Sequence, residues 1–199
     1  MKNFTKIKNR GFTLLETIVA IAILSLAITG PMVIAQKGID TSIYARDQVT
    51  AFYLAQEAIE YVRNVRDTNR IAGYSGGWLW EFGATGANCL DTTGQKCLID
   101  ATVQPYFKSP SAAPGAGIGT SVLNACSGGI CPAINFNPLS YFYGYSTGGS
   151  WTTTQFTRTV DIKEIVSGVE AVVTVTITWQ TNIFSPQETF TVAEHVFAF

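Results

Sequence analysis

The sequence has 199 residues, of which 47% are hydrophobic and 14% are charged, and its formal net charge at pH 7 is −1. Typical domains carry about 25% charged residues, so the composition excludes a highly charged disordered tail. The near-neutral balance provides no basic surface, and we expect no nucleic-acid partner. A single histidine, His195, leaves little for histidine-dependent catalysis or a histidine-rich metal centre.

The N-terminus combines a basic head with a long apolar run. Four of the 13 basic residues lie in the first 11 positions, and no acidic residue precedes Glu16. In residues 12–35, FTLLETIVAIAILSLAITGPMVIA, Glu16 is the only charged side chain. About 20 apolar residues suffice to cross a hydrocarbon core of about 30 Å. We therefore predict a transmembrane helix over residues 12–36, with the basic head cytoplasmic and the rest of the chain across the membrane.

Three interpretations of this segment are open. A cleaved signal peptide would use Val33-Ile34-Ala35 as its cleavage site, but the run exceeds the usual apolar region of about 7–15 residues. A plain signal anchor explains the length. Neither explains Glu16, because a carboxylate inside a membrane helix costs about 2.5–3.5 kcal/mol on insertion scales. The third interpretation accounts for both features.

The stretch from Lys8 to Glu16, KNRGFTLLE, resembles the processing site of type IV prepilins and type II secretion pseudopilins. That pattern is a short basic leader, a glycine, an aromatic residue, three further residues, a glutamate and an apolar helix, and the resemblance covers about residues 6–35. It implies that residues 1–11 are a leader, which a prepilin peptidase removes after Gly11. The same enzyme then methylates the new amino group of Phe12.

Glu16 has a specific role in this resemblance. It lies one helical turn after Phe12, on the same face. The resemblance implies that Glu16 pairs with the Phe12-type amine of a neighbouring subunit, which would set the register between subunits during assembly. The alternative is a first-turn acid that complements the helix dipole.

Gly30 and Pro31 predict a helix break within the apolar run. Proline lacks an N–H and clashes with the carbonyl group four residues earlier, here Ala27. We therefore expect a kink or local unwinding near residues 27–31. This break would give a filament elasticity, or it is a passive kink of a membrane helix.

Residues 37–72 continue the helix with amphipathic character. Apolar residues recur there at helical spacing: Ala51, Leu54, Ala55, Ala58, Ile59, Val62 and Val65. Thr68-Asn69 and Gly73 provide stop signals. We expect this stripe to cover a β-sheet.

Residues 73–150 contain most of the 18 glycines, five of the seven prolines and many aromatic residues. This composition predicts a long ordered loop region with a few short strands, including one near Leu98–Val103. The aromatic residues most simply pack these loops, and a sugar- or surface-binding patch is the alternative.

The four cysteines also lie in this region, as two close pairs, Cys89/Cys97 and Cys126/Cys131. Outside the cytoplasm, oxidising conditions favour disulfides. Four cysteines allow three disulfide connectivities. We favour the one with two local disulfides, Cys89–Cys97 and Cys126–Cys131, because each pair brackets a turn-rich loop. A four-thiolate zinc site is disfavoured, since the spacings are not those of paired C-x2-C motifs.

Residues 151–199 alternate with a period of two, which predicts strands over about 155–166, 170–180 and 188–198. Ser167-Gly168 suits a two-residue hairpin turn, and the faltering alternation at Glu194-His195 predicts a bulge. The fold class is therefore α+β. A long N-terminal helix, transmembrane in its first half and amphipathic in its second, packs on a C-terminal antiparallel β-meander, which is the type IV pilin-like arrangement.

Nothing in the sequence indicates an enzyme. It contains no nucleophile elbow, phosphate loop or metal motif, so we expect no cofactor and no metal. His195 is expected to face solvent on its strand. Asp91 and Asp100 are isolated acids without the dense acidic loop that calcium requires.

The sequence favours a structural subunit of a type IV pilus or pilus-like filament, and the long middle region favours a minor pilin. Its partners would be other pilin subunits through the N-terminal helix, prepilin peptidase, and the membrane before assembly. The location would be a single pass through the inner (cytoplasmic) membrane, then an extracellular or periplasmic filament. The alternatives are a pseudopilin of a secretion or DNA-uptake system, and a membrane-anchored extracytoplasmic adhesin or binding protein.

Overall fold

A computed structural model describes residues 11, 13–72, 89–90, 95–102, 123–181 and 185–198. The chain divides into a first unit, residues 1–46, and a second unit, residues 47–199. A single helix, α1, spans Leu14–Ala72 and contributes to both units.

In the first unit, α1 carries a long apolar segment that is exposed in the single chain. Every described residue from 13 to 42 is exposed in the single chain. An 18-residue window of α1 has a mean hydropathy of 2.5, and none of it is buried. By length and composition, α1 is able to cross a membrane, as predicted, and this fits a membrane-anchored protein.

Gly30 and Pro31 lie inside α1, and the helix is continuous through residues 27–31. Residues 27–31 are therefore helical in the single chain. The physical reason is that the fixed φ of proline is compatible with an α-helix, so Pro31 removes one hydrogen bond, to Ala27, while the turns on either side continue. A break at this site during assembly stays a prediction.

In the second unit, the predicted apolar stripe of α1 is buried. All seven of its members are at most 6% exposed, and they form one core with the inner face of the sheet. The inner face is supplied mainly by the three longest strands, through Phe156, Val160, Ile162, Ala171, Val173, Val175, Ile177, Trp179 and Val196. Burial of this shared apolar surface is the main term that holds helix and sheet together.

Within the described residues, the sheet has seven strands. Their bounds are β1 Cys97–Ile99, β2 Leu123–Ala125, β3 Ala133–Asn137, β4 Phe142–Gly144, β5 Thr152–Val166, β6 Glu170–Trp179 and β7 Glu188–Phe197. All of the strand pairs are antiparallel. A single parallel bridge joins Leu90 to Ile162.

The predicted C-terminal meander is confirmed as β5–β6–β7, but two of its details differ. The β5–β6 turn has three residues, 167–169, instead of two, with Gly168 at a φ of 72° and a register shift between Glu164 and Val166. The extra turn residue accommodates this shift. The bulge predicted in β7 is wrong, because the β6–β7 register runs without interruption through Glu194 and His195.

The irregular pattern of β7 has an electrostatic cause. Glu194 faces α1, where the Nε of Arg63 donates a hydrogen bond to its Oε1 at 2.7 Å. The hydrogen bond to Glu194 raises the pKa of Arg63, so this cation stays charged. A carboxylate on the inner face of β7 is thus matched by a cation on the helix, and the strand stays regular.

The region between α1 and β5 contributes to the same sheet. β5 is 15 residues long and pairs with β6 along one edge, and with both β1 and β3 along the other. The strand predicted over Leu98–Val103 corresponds to β1, which ends at Ile99. Val103 lies outside the described residues. The described part of residues 73–150 therefore carries four short strands that extend the meander.

Arg158 is the main polar group in this core. Its side chain is fully buried and is anchored to two other elements. Its Nη1 donates to the Leu54 carbonyl at 2.9 Å and to Glu57 Oε2 at 2.6 Å, and its Nη2 donates to the Ile99 carbonyl. Arg158 therefore joins β5, α1 and β1 through one guanidinium group.

Candidate functional site

The N-terminal segment is the candidate site, and Thr13 defines its geometry. The hydroxyl of Thr13 accepts a hydrogen bond from the backbone N–H of Glu16 at 3.3 Å, and its carbonyl accepts one from the N–H of Thr17 at 3.2 Å. Thr13 is thus the N-cap of α1, which begins at Leu14. Our sequence reasoning missed this role. The signal was available as the capping-box pattern Thr13-x-x-Glu16.

Gly11 lies immediately before this cap. It is exposed, and a Cβ added to it would meet no heavy atom within 4 Å. The fold therefore places no demand for glycine at this position. Phe12 and residues 1–10 lie outside the described residues, so the cleavage, the methylation and the pairing amine stay predictions.

Glu16 occupies the third position of the helix, in its first turn. Its side chain is exposed, and within the described part of the chain no basic group pairs with it. The helix dipole favours a negative charge in this turn. The structure therefore places Glu16 where another molecule can reach it.

The few polar side chains of the apolar segment bond to the helix itself. Ser25 Oγ donates to the Ile21 carbonyl at 2.9 Å, and Thr29 Oγ1 donates to the Ser25 carbonyl at 2.7 Å. Such back-bonding satisfies the hydroxyl donors without water. Because a bilayer supplies no hydrogen-bond partners, this arrangement suits lipid or a protein interface.

The cysteines are joined in two disulfides, Cys89–Cys97 and Cys126–Cys131, with Cα–Cα distances of 5.7 and 4.7 Å. These are the two local pairings that the sequence favours. No cysteine is free, which contradicts the four-thiolate alternative. Both disulfides border β1 and β2 and stabilise this part of the sheet.

The other candidate residues have structural partners. His195 is 59% exposed, and its Nδ1 lies 2.6 Å from Glu170 Oε1 on the neighbouring strand. Both carboxylate oxygens of Asp100 accept protein hydrogen bonds, from Thr102 and from the Tyr145 N–H. Asp91 lies outside the described residues. Among the described residues, no group of three or more histidine, cysteine or acidic side chains is placed to hold a metal ion.

Comparison with known protein families gives one match. Residues 6–30 match the family described as the prokaryotic N-terminal methylation motif, and this range includes the glycine, the cap and Glu16. Neither the curated proteins nor the solved structures contain a match to the chain. The motif supports a type IV pilin-like or pseudopilin protein. Residues 6–30 are a type IV prepilin-like cleavage and methylation signal, carried by a chain with a pilin-like α+β fold.

Proposed function

We propose that the protein is a minor subunit of a type IV pilus or pilus-like filament. The observation that carries this proposal is the coincidence of two features in one stretch. The methylation motif spans residues 6–30, and from residue 14 onwards it lies on an apolar helix whose surface has no partner among the described residues. Lipid covers this surface before assembly, and other subunits cover it afterwards. The globular second unit lies outside the cytoplasm, where its disulfides form.

Processing is the first step of the proposal. Prepilin peptidase removes residues 1–11 and methylates the amine of Phe12. Because a side chain at Gly11 would contact nothing in the fold, its requirement for glycine comes from the protease, which the backbone must approach closely.

Mass spectrometry of the protein from native membranes tests this step. We expect an N-methylated Phe12 at the N-terminus. Gly11→Val should leave the leader attached, whereas Gly38→Ala, at another exposed glycine with open space around it, should be processed normally. An intact leader in the wild type, or a start at Gln36, would remove the processing proposal.

Assembly is the second step. The new amine of Phe12 on one subunit pairs with Glu16 of a neighbour, so that two charges that are costly in lipid neutralise each other. A single buried polar pair of this kind fixes the axial register between helices, as it does in coiled coils. Gly30 and Pro31 provide a position where the helix yields when the filament is stretched.

The assembly step is tested by replacing Glu16. Glu16→Val should insert in the membrane and be processed, yet be absent from sheared filaments. Asp40→Asn is the matched control, since Asp40 is an exposed acid on the same helix without an assigned role. Normal incorporation of Glu16→Val would contradict the register role.

The minor-subunit proposal is supported by the four additional strands and two disulfides between α1 and β5. Quantitative mass spectrometry of sheared surface filaments measures the amount of this protein relative to the main subunit. We expect the protein at a small fraction of the main subunit. Its restriction to the periplasm would instead favour the pseudopilin alternative.

A further inference from the structure

Four aromatic rings form a strip on the second unit, which we call the aromatic strip: Tyr53, Tyr143, Phe136 and Tyr141. Phe136 and Tyr143 are cross-strand neighbours whose ring centroids lie 4.9 Å apart, and Tyr141 lies 6.4 Å from Phe136. Tyr53, on α1, and Tyr143, on β4, both line one groove. The outer members are highly exposed, Tyr53 at 64% and Tyr141 at 78%.

The strip ends in a groove that provides polar groups. It has a volume of about 200 Å³ and is completed by Thr50, Leu54 and Glu57. Glu57 is 38% exposed, and its Oε2 accepts a hydrogen bond from Arg158, so its charge is balanced within the protein. The volume is below the range of about 300–1,000 Å³ of pockets that enclose a ligand. The groove therefore suits one monomer of a polymeric ligand that continues along the aromatic strip.

The exposed end of the strip is held in place. Tyr141 has a φ of 59°, a conformation that non-glycine residues rarely adopt without support. Its N–H donates to the Asn137 carbonyl at 2.8 Å, and the Asn137 side chain accepts the N–H of Leu139 at 2.9 Å. The turn thus fixes the backbone that carries the ring before any ligand arrives, which lowers the backbone entropy lost on binding.

The surroundings of the strip indicate a neutral ligand. From residue 109 to residue 157, the sequence contains no charged side chain, and serine, threonine, asparagine, glycine and tyrosine dominate β3, β4 and the turns that follow. Rigid tyrosines surrounded by small hydroxyl and amide groups are the composition of adaptable binding surfaces. Residues 109–157 contain no cation that would attract an anionic polymer or an anionic membrane.

We propose that the groove and the aromatic strip bind a neutral polysaccharide. The C–H faces of successive sugar rings stack on Tyr53, Tyr143 and Tyr141, and Glu57 accepts hydrogen bonds from the hydroxyl groups of the sugar in the groove. This site belongs to the second unit and does not depend on the proposed filament.

Co-sedimentation of the full chain, in neutral detergent micelles, with insoluble polysaccharides tests the proposal. The probes are cellulose, chitin and starch as neutral polymers, calcium alginate as an anionic one, and phosphatidylcholine vesicles. We expect retention on at least one neutral polymer that persists in high salt. Tyr141→Asn, which preserves the left-handed backbone, and Tyr53→Ala should each weaken it by about tenfold.

Phe142→Ala is the matched control. Phe142 is 62% exposed on the same hairpin, but it points to the opposite face from its neighbour Tyr143, so this variant should bind as the wild type does. Retention on none of the neutral polymers would overturn the proposal. So would salt-sensitive binding to alginate alone, binding to vesicles alone, or equal losses in Phe142→Ala and Tyr141→Asn. Glu16→Val should retain full binding, which separates this proposal from the filament one.

Discussion

Replacing Arg158 is expected to produce the largest loss of stability among the polar residues of the described core. Arg158→Met removes the donors to the Leu54 and Ile99 carbonyls and to Glu57. Breaking a buried ion pair by removing one partner costs about 3–5 kcal/mol. Because Glu57 is 38% exposed, its carboxylate regains water, and we expect the low end, about 3 kcal/mol. In a domain of this size, that lowers the melting temperature by about 6–12 °C.

The assay is urea and thermal unfolding of the full chain in neutral detergent, followed by tryptophan fluorescence, to which the buried Trp179 contributes. Arg63→Met is the control, since Arg63 is 39% exposed beside Glu60 and Glu194, and exposed ion pairs contribute at most about 1 kcal/mol. If Arg158→Met loses no more stability than Arg63→Met, the reasoning is refuted.

A double-mutant cycle separates the ion pair from the carbonyl contacts. Glu57→Gln keeps a hydrogen-bond acceptor beside Arg158 and should cost less than Arg158→Met, because the guanidinium keeps both of its carbonyl partners. The double variant should lose less stability than the two single variants together, by about 0.5–3 kcal/mol. Strict additivity would mean that Arg158 acts through the carbonyl groups of Leu54 and Ile99 alone.

Three smaller effects are expected. Thr13→Ala removes the N-cap hydrogen bond to Glu16 and should raise amide hydrogen exchange in the first turn of α1 by an amount equivalent to about 1 kcal/mol, whereas unchanged exchange would exclude a capping role. The double variant Cys126→Ser/Cys131→Ser should lose about 2 kcal/mol in urea unfolding, as the short closed loop predicts, and an unchanged midpoint would contradict this. Burial raises the pKa of Tyr145, an effect that the charge of Arg158 partly opposes. The stability that the neutral Tyr145 side chain contributes is therefore complete below about pH 10 and is lost as the pH rises towards the raised pKa. Tyr145→Phe should then lose less stability than the wild type between pH 8 and pH 10.5. Equal losses in the two proteins would refute the raised pKa of Tyr145.

Much of the architecture follows from local patterns. The 3.6-residue spacing in residues 51–65 predicts the buried face of α1 because a helix can bury only one stripe on a sheet. The alternation in β5 to β7 predicts the meander for the corresponding reason in strands. The turn-rich loops favour the two disulfides, since a short loop brings its ends together at the lowest entropic cost.

The features that were missed depend on groups far apart in the sequence. Arg158 alternates in phase with Phe156 and Val160, so periodicity places it on the inner face, but nothing local identifies its partners, the carbonyls of Leu54 and Ile99. The same holds for the two strands that share one edge of β5. Glu194 disrupts the apolar alternation of β7 and so predicts a bulge, because the sequence does not show that Arg63 lies opposite.

The two proposals also differ in how far the sequence predicts them. The filament proposal rests on neighbouring residues, and the binding proposal rests on the folded structure. The proposed processing and assembly depend on residues that are close in sequence, so KNRGFTLLE suffices to predict them. The aromatic strip joins the helix to a hairpin more than 80 positions later in the sequence, and it requires the φ of 59° at Tyr141. Subunits of one filament must share the N-terminal segment, whereas the aromatic strip is free to differ between them. In the proposed filament, the strip is therefore where this protein would gain a function that its neighbours lack.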